Sequence, residues 1–393
     1  MSATAAGPRT AVRTHGFTES VIREMTRVAT EHGAINLAQG FPDFACPDVL
    51  KEAACQAIHA DVNQYAVTWG TPRFRRAIAD KYARFYGMEV DEAREVTVTC
   101  GATEAMAAAL LAVVNPGEEV IVFEPFYENY GPDAILCGAR PVWVPMGPEG
   151  LDLERLAAAF SDRTRAIVVN TPNNPTGHVF SRAELEAIAE LCRRHDALAV
   201  TDEVYEHILY EGSHIPMATL EGMRERTITI SSYSKTFSIT GWRIGTIVAP
   251  PDVTGAIRKV HDFLTVGAPA PLQEACATAL ETLGDDYYQG LAADYRERRE
   301  VLHGALVEAG FRCAPPRGAY YILADFSALS ELADDAFARW LAREVGVAPV
   351  PGSSFFHDPA LGRRLVRFAF PKRLETLREA GRRLRALAPS LLA

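Results

Sequence analysis

Thr227-Ile228-Thr229-Ile230-Ser231-Ser232-Tyr233-Ser234-Lys235-Thr236-Phe237-Ser238-Ile239-Thr240-Gly241-Trp242-Arg243-Ile244-Gly245-Thr246-Ile247-Val248 reads as a strand, a polar turn and a second strand. The β-branched runs at 227–230 and 244–248 suit a buried pleat. The turn between them gathers hydroxyls, one lysine and one arginine. A lysine just past a buried strand is placed to hold an aldehyde as a Schiff base, with Arg243 holding an anion beside it. Carbonyl capture needs an amine of depressed pKa, and a second nearby cation supplies that. Taken alone, the segment also reads as a surface lysine in a Ser/Thr-rich loop.

Working outward, short apolar runs stand at 95–99, 119–123, 166–170 and 197–201, each followed by a polar or Gly/Pro-rich turn. Helical patterns alternate with them, which predicts an α/β fold with a largely parallel sheet. In such sheets ligands sit outside the carboxyl ends of the strands, and the polar clusters lie there. The periodicity predicts a helix over 182–195, with Ser181 as N-cap and Glu184 completing a capping box. From about 285 the texture changes. A long charged helix is expected over 288–308, then a turn at Pro315-Pro316-Arg317-Gly318, a strand over 319–323 and a final helix over 374–387. This predicts a large domain at 47–290, a smaller α+β domain at 291–393, and an arm at 1–46 shared with the small domain.

A chain of 393 residues is too long for one ordinary core, so two domains are expected. With 48% apolar and 23% charged residues, the composition is that of a soluble globular protein. The net charge of -10, with bases scattered among acids, argues against nucleic acid and anionic membrane surfaces as partners. Seven cysteines form no CxxC pair, which fits reduced thiols in the cytoplasm. Residues 1–16 read as a flexible arm without the apolar core of a secretory signal. The ten histidines show no ligand spacing, so no metal site is expected. His178 and His207 read as peripheral, and Glu203 and Glu206 as solvated or capping.

Three further segments bear on Lys235. Asn170-Thr171-Pro172-Asn173-Asn174-Pro175-Thr176-Gly177 is either a plain turn or a presentation of Asn174 to a ligand oxygen, with a possible cis bond before Pro175. In Thr201-Asp202-Glu203-Val204-Tyr205, a carboxylate just past a buried strand is costly unless paired with a cation, and helix capping is the alternative. In Thr99-Cys100-Gly101-Ala102-Thr103-Glu104, a strand runs through glycine into an alanine-rich helix, whose free N–H groups suit a phosphate.

Taken together, these four segments resemble the pyridoxal-phosphate aminotransferases of fold type I, class I/II. Asn36-Leu37-Ala38-Gln39-Gly40-Phe41-Pro42-Asp43 and Asn63-Gln64-Tyr65 resemble the methionine/glutamine/kynurenine branch. The resemblance implies a mostly parallel sheet in a large domain, pyridoxal 5'-phosphate as cofactor, and a homodimer with shared active sites. It makes Lys235 the lysine joined to the cofactor, and the base that shuttles a proton. It makes Asp202 the partner of the pyridine nitrogen, and Asn174 and Tyr205 the partners of the phenolic oxygen. Tyr127 would stack on the ring. Gly101, Ala102, Thr103, Ser232 and Arg243 would form the phosphate cradle, with Tyr65 reaching the phosphate of the neighbouring subunit. Arg367, in register with the family although Arg363 and Arg364 lie close by, would clamp the substrate α-carboxylate with help from the Gly40 backbone.

The reaction implied is ping-pong transamination from an L-amino acid to a 2-oxo acid. The segment matching the region where aspartate-specific relatives carry an arginine is His261-Asp262-Phe263-Leu264-Thr265-Val266-Gly267, which has none. Neutral, amide, sulfur-containing or aromatic side chains are therefore expected, with Phe17, Tyr65, Tyr130 and Phe355 as candidate walls. A cysteine-conjugate β-lyase, or a dedicated biosynthetic aminotransferase for an unusual amino acid, would use the same residues.

Overall fold

The computed structural model describes residues 9–147 and 150–387. Part of the expected arm, residues 1–8, lies outside them, as do 388–393. In chain order the strands are β1 (Ile35–Asn36), β2 (Val96–Thr99), β3 (Glu119–Glu124), β4 (Arg140–Pro145), β5 (Thr164–Asn170), β6 (Leu198–Asp202), β7 (Thr227–Ser232), β8 (Gly245–Val248), β9 (Tyr321–Asp325), β10 (Val347–Ala348), β11 (Val350–Pro351) and β12 (Leu365–Ala369).

Seven of these strands form one sheet in the order β2-β8-β7-β6-β5-β3-β4. All neighbours are parallel except β8, which runs antiparallel to both β2 and β7. Buried on both faces, its central strands are continuous apolar runs, as parallel sheets require. Side-chain alternation sends Val120, Val122, Val168 and Val200 to one face and Ile121, Phe123, Ile167 and Ala199 to the other. The helix Ala102–Val113 covers the first face, packed in turn by Pro251–Thr265. The helix Arg182–Arg194 covers the second, with the predicted Ser181/Glu184 capping box formed.

Strand β4 lacks a sequence signal because Pro141 and Pro145 bracket its short apolar run Val142-Trp143-Val144. It survives as an edge strand, where proline is tolerated. The strand expected at 319–323 begins two residues later.

The second sheet, β11-β12-β9, is antiparallel. A two-residue parallel pairing of β1 with β10 forms a separate small sheet and ties the N-terminal segment to the C-terminal part of the chain. The long helix Asp285–Glu308 runs between the two sheets' territories and packs on the final helix, Leu374–Arg385. All seven cysteines are free thiols. Among the described residues no helix is long and apolar enough to cross a membrane.

Candidate active site

At the carboxyl ends of the large sheet a cavity of about 850 Å³ opens toward the small one. Lys235 lines it. The end of β7 delivers this residue, because the Ser232 hydroxyl accepts the Ser234 N–H and turns the chain into the single helical turn Tyr233–Thr236. The Lys235 amine lies 6.0 Å from the Tyr205 ring centre and 5.8 Å from that of Tyr320. Burial lowers its pKa to about 8, helped by the positive charge of Arg243 and opposed by Asp202. The arginine effect anticipated from sequence is present, but burial is the larger cause.

Asp202 ends β6, its carboxylate buried at the cavity wall. It accepts a 2.7 Å hydrogen bond from the Tyr130 hydroxyl and a longer one from the Val204 N–H. Burial raises its pKa, which the tyrosine bond only partly offsets. A buried carboxylate with no ion pair is a place for a cation.

Asn174 follows β5, and the peptide bond to Pro175 is cis. Its Oδ1 accepts from Arg367 Nη1 at 2.8 Å, and a guanidinium can only donate, so the amide nitrogen is left for an incoming oxygen. Tyr205 is buried, its hydroxyl 2.9 Å from that of Tyr321.

Arg367, on β12, is fully buried. Besides Asn174 it donates to the Ala38 carbonyl at 2.5 Å. The rings of Tyr321 and Phe355 flank it at 4.3 and 4.9 Å. Its Nε has no partner, and it makes no ion pair among the described residues. Burial lowers its pKa. The neighbouring Arg364 is spent on the backbone carbonyls of Ser327, Ser330 and Leu332, and Arg363 does not line the cavity. Of the three arginines, Arg367 alone lines the cavity.

Ala102, Thr103, Ser232 and Arg243 meet at the other end of the cavity. Gly101 sits behind them as the N-cap of Ala102–Val113, with φ 83. A Cβ there would lie 2.3 Å from Arg243 Nη2, so the position needs glycine for both its conformation and the close approach. Tyr127 and Gly40 also line the cavity. The Gly40 carbonyl accepts from the Tyr320 hydroxyl at 2.8 Å. Donors at one end, a free lysine amine, a carboxylate lacking a cation and an arginine lacking an anion fit a phosphorylated aldehyde carrying a basic ring nitrogen.

Tyr65 is 89% exposed and lies outside the lining. Phe17 and Phe355 do not line it either; Phe355 backs Arg367 instead. Residues missed from sequence are Arg23, Glu128, Asp133 and Tyr321, all on the wall. Glu203 and Glu206 are corrections: neither is solvated nor capping. Glu206 accepts from Lys81 Nζ at 2.5 Å and from the Tyr86 hydroxyl at 2.5 Å, and also takes the Ser231 hydroxyl. Glu203 lies 2.7 Å from His214 Nε2. His207 lies outside the cavity lining. It packs edge-on against Phe85 and at a tilt on Tyr288, and burial lowers its pKa to about 3.

Residues 32–383 match the family Aminotransferase class I and II. The chain is 43% identical to a probable N-succinyldiaminopimelate aminotransferase of Mycobacterium tuberculosis, over 96% of this chain and 98% of that protein. The solved structure of N-succinyldiaminopimelate aminotransferase from the same species superposes with a TM-score of 0.94 at 43% identity, covering 96% and 100% of the two chains. A methionine aminotransferase of Escherichia coli is 39% identical over 94% of this chain and 96% of its own. A human kynurenine–oxoglutarate transaminase is 36% identical over 92% and 94%.

Proposed function

From the premise that the chain belongs to the class I and II aminotransferases, and is therefore a pyridoxal-phosphate-dependent enzyme of fold type I, we propose a substrate class and a role for each side chain. The enzyme takes the amino group of an L-amino acid with a neutral, amide, sulfur-containing or aromatic side chain and passes it to a 2-oxo acid. The observation that carries this reading is the convergence of Lys235, Asp202, Asn174 and Arg367 on one cavity at the strand ends.

Arg367 binds the substrate α-carboxylate; with Nε unpartnered and no protein anion beside it, the guanidinium has charge and a donor to give. The Asn174 amide nitrogen and the Tyr205 hydroxyl hold the cofactor's phenolic oxygen. Asp202, kept in place by Tyr130, holds a proton on the pyridine nitrogen. Ala102, Thr103, Ser232 and Arg243 take the phosphate, and Tyr127 covers one face of the ring. Pyridoxal phosphate supplies the conjugated system that accepts the electron pair released when the substrate Cα–H bond breaks. Lys235, with its pKa near 8, moves the proton from Cα, since an amine that titrates near neutral pH serves as both base and acid.

His261 in the segment without arginine is fully buried between Glu104 and the Thr68 carbonyl, so it has no distal carboxylate to read. Leu264 and Thr265 line the cavity there and favour a neutral side chain. Tyr65 and Phe263, 89% and 92% exposed, fit a subunit interface of a homodimer in which Tyr65 reaches the partner's phosphate. A cytoplasmic location fits the free thiols. The proposed chain division at 46 and 290 is supported by the large sheet lying within 47–290 and the antiparallel sheet after 290.

Titrating the holoenzyme with single amino acids, without an oxo acid, tests the reading. Loss of the visible cofactor band with glutamine, methionine or phenylalanine faster than with aspartate is the expected result. Faster reaction with aspartate would overturn the substrate class. Release of pyruvate and ammonia from a cysteine conjugate, with the band persisting, would favour the β-lyase.

A further inference from the structure

Four cations line the cavity: Arg23, Lys235, Arg243 and Arg367. The last three have roles in the reading above, on which this inference rests. Arg23 has none. It lies in the first turn of the helix Val21–Glu31, where its backbone N–H caps onto the Ser20 hydroxyl. A positive charge in the first turn opposes the helix dipole, so helix stability is no reason for arginine there.

The neighbouring charges on this helix are paired. Arg27 bonds Glu19 at 2.9 Å and Glu24 bonds Arg339 at 2.5 Å. The guanidinium of Arg23 alone among them, the one turned to the cavity, makes no ion pair or hydrogen bond among the described residues. The acids on the wall do not take it. Glu128 accepts the Ser20 hydroxyl, Glu104 accepts from Cys100 and lies 2.9 Å from His261, and Asp202 accepts from Tyr130. Asp133 is buried and forms no ion pair with it. The phenol of Tyr127 lies within electrostatic reach of both Arg23 and Arg367. Two guanidinium groups, Arg23 and Arg367, thus line one cavity with no ion pair among the described residues.

We propose that Arg23 determines specificity by binding the distal carboxylate of a dicarboxylic 2-oxo acid or amino acid whose α-carboxylate sits on Arg367. Ping-pong transfer sends two substrates through one cavity. An exposed arginine on a flexible stem can close on an anionic side chain and stand aside for a neutral one. The neutral donor and a dicarboxylic acceptor thus share the site.

The test compares 2-oxoglutarate with 4-methylthio-2-oxobutanoate as acceptors for the holoenzyme loaded with an amino group. In Arg23→Gln the kcat/KM ratio of the dicarboxylic to the neutral acceptor falls about 10- to 100-fold, the range for losing a charge-assisted bond. Arg23→Lys recovers part of that ratio, and calorimetry shows glutarate binding weakened by a similar factor while butyrate binding changes far less. An unchanged ratio, or equal loss for both acceptors, overturns the proposal. If the wild-type holoenzyme moves no amino group from any donor, the substrate reading above fails. The glutarate titration still judges Arg23: selective weakening supports its role, and equal binding by the variant refutes it.

Discussion

Two sets of charges sit within a few residues of each other and are treated in opposite ways. In 202–206, Asp202 and Tyr205 face the cavity while Glu203 and Glu206 point behind it. The rear carboxylates are paired. Burial would raise Glu206, but Lys81, His207 and His214 outweigh it and hold its pKa down at about 2. The front carboxylate is left short of a cation, and burial wins. Arg367 and Lys235 face the same cavity with their charge equally unmatched. One strand end thus serves both as a finished interior and as an unfinished one. The deficit lies where a charged cofactor and substrate are to come.

The sharpest break between the two sets is Lys235→Ala. Catalysis is expected to fall by roughly four orders of magnitude or more in half-reaction rates, while the melting temperature of the apoprotein holds or rises, since a buried amine is removed. Behind the cavity the balance reverses. Glu206→Leu strands Lys81, and urea unfolding should show a loss of about 3–5 kcal/mol. The double change Lys81→Met/Glu206→Leu should recover most of it; failure to recover would mean that Tyr86 and Ser231, not the ion pair, carry the stability.

A milder probe is Tyr130→Phe, which removes the bond to Asp202. Its transamination rate should fall about tenfold, with little change in the KM for amino acid. The smallest effect concerns pH. The Lys235 amine must be neutral to attack an aldehyde, so pyridoxal capture by the apoenzyme should accelerate as pH rises through about 8 and then level off. Replacing Arg243 by Gln should move that midpoint upward; a downward shift would contradict the charge effect of Arg243 on the amine.

Much of the front was legible. Lys235, Asp202 and Asn174 each stand at or within four residues of the end of a short apolar strand, and a polar residue at such a place has no good structural use other than a turn or a ligand. The rear was not legible, because the partner of Glu206 is Lys81, far along the chain on the helix Pro72–Tyr86. A carboxylate pattern beside a strand looks the same whether water or a distant ammonium neutralises it. Strand β4 was hidden by its prolines. Arg23 carried a faint signal, a cation in a helix's first turn, but only its cavity-facing, unpaired state gives that signal meaning. Tyr321 gave none, being one aromatic among several in a buried strand.

Arg367 bonds at once to a carbonyl of the N-terminal segment and to a side chain at the end of β5, while standing on β12. Seen along the axis of synthesis, the lysine and the phosphate-facing residues have all emerged by Arg243, whereas this guanidinium emerges near the end of the chain. The residues proposed for the cofactor therefore emerge before the one proposed for the substrate carboxylate. The proposed grip on substrate waits for the last strand, so a chain ending before β12 lacks the group proposed to seat an amino acid.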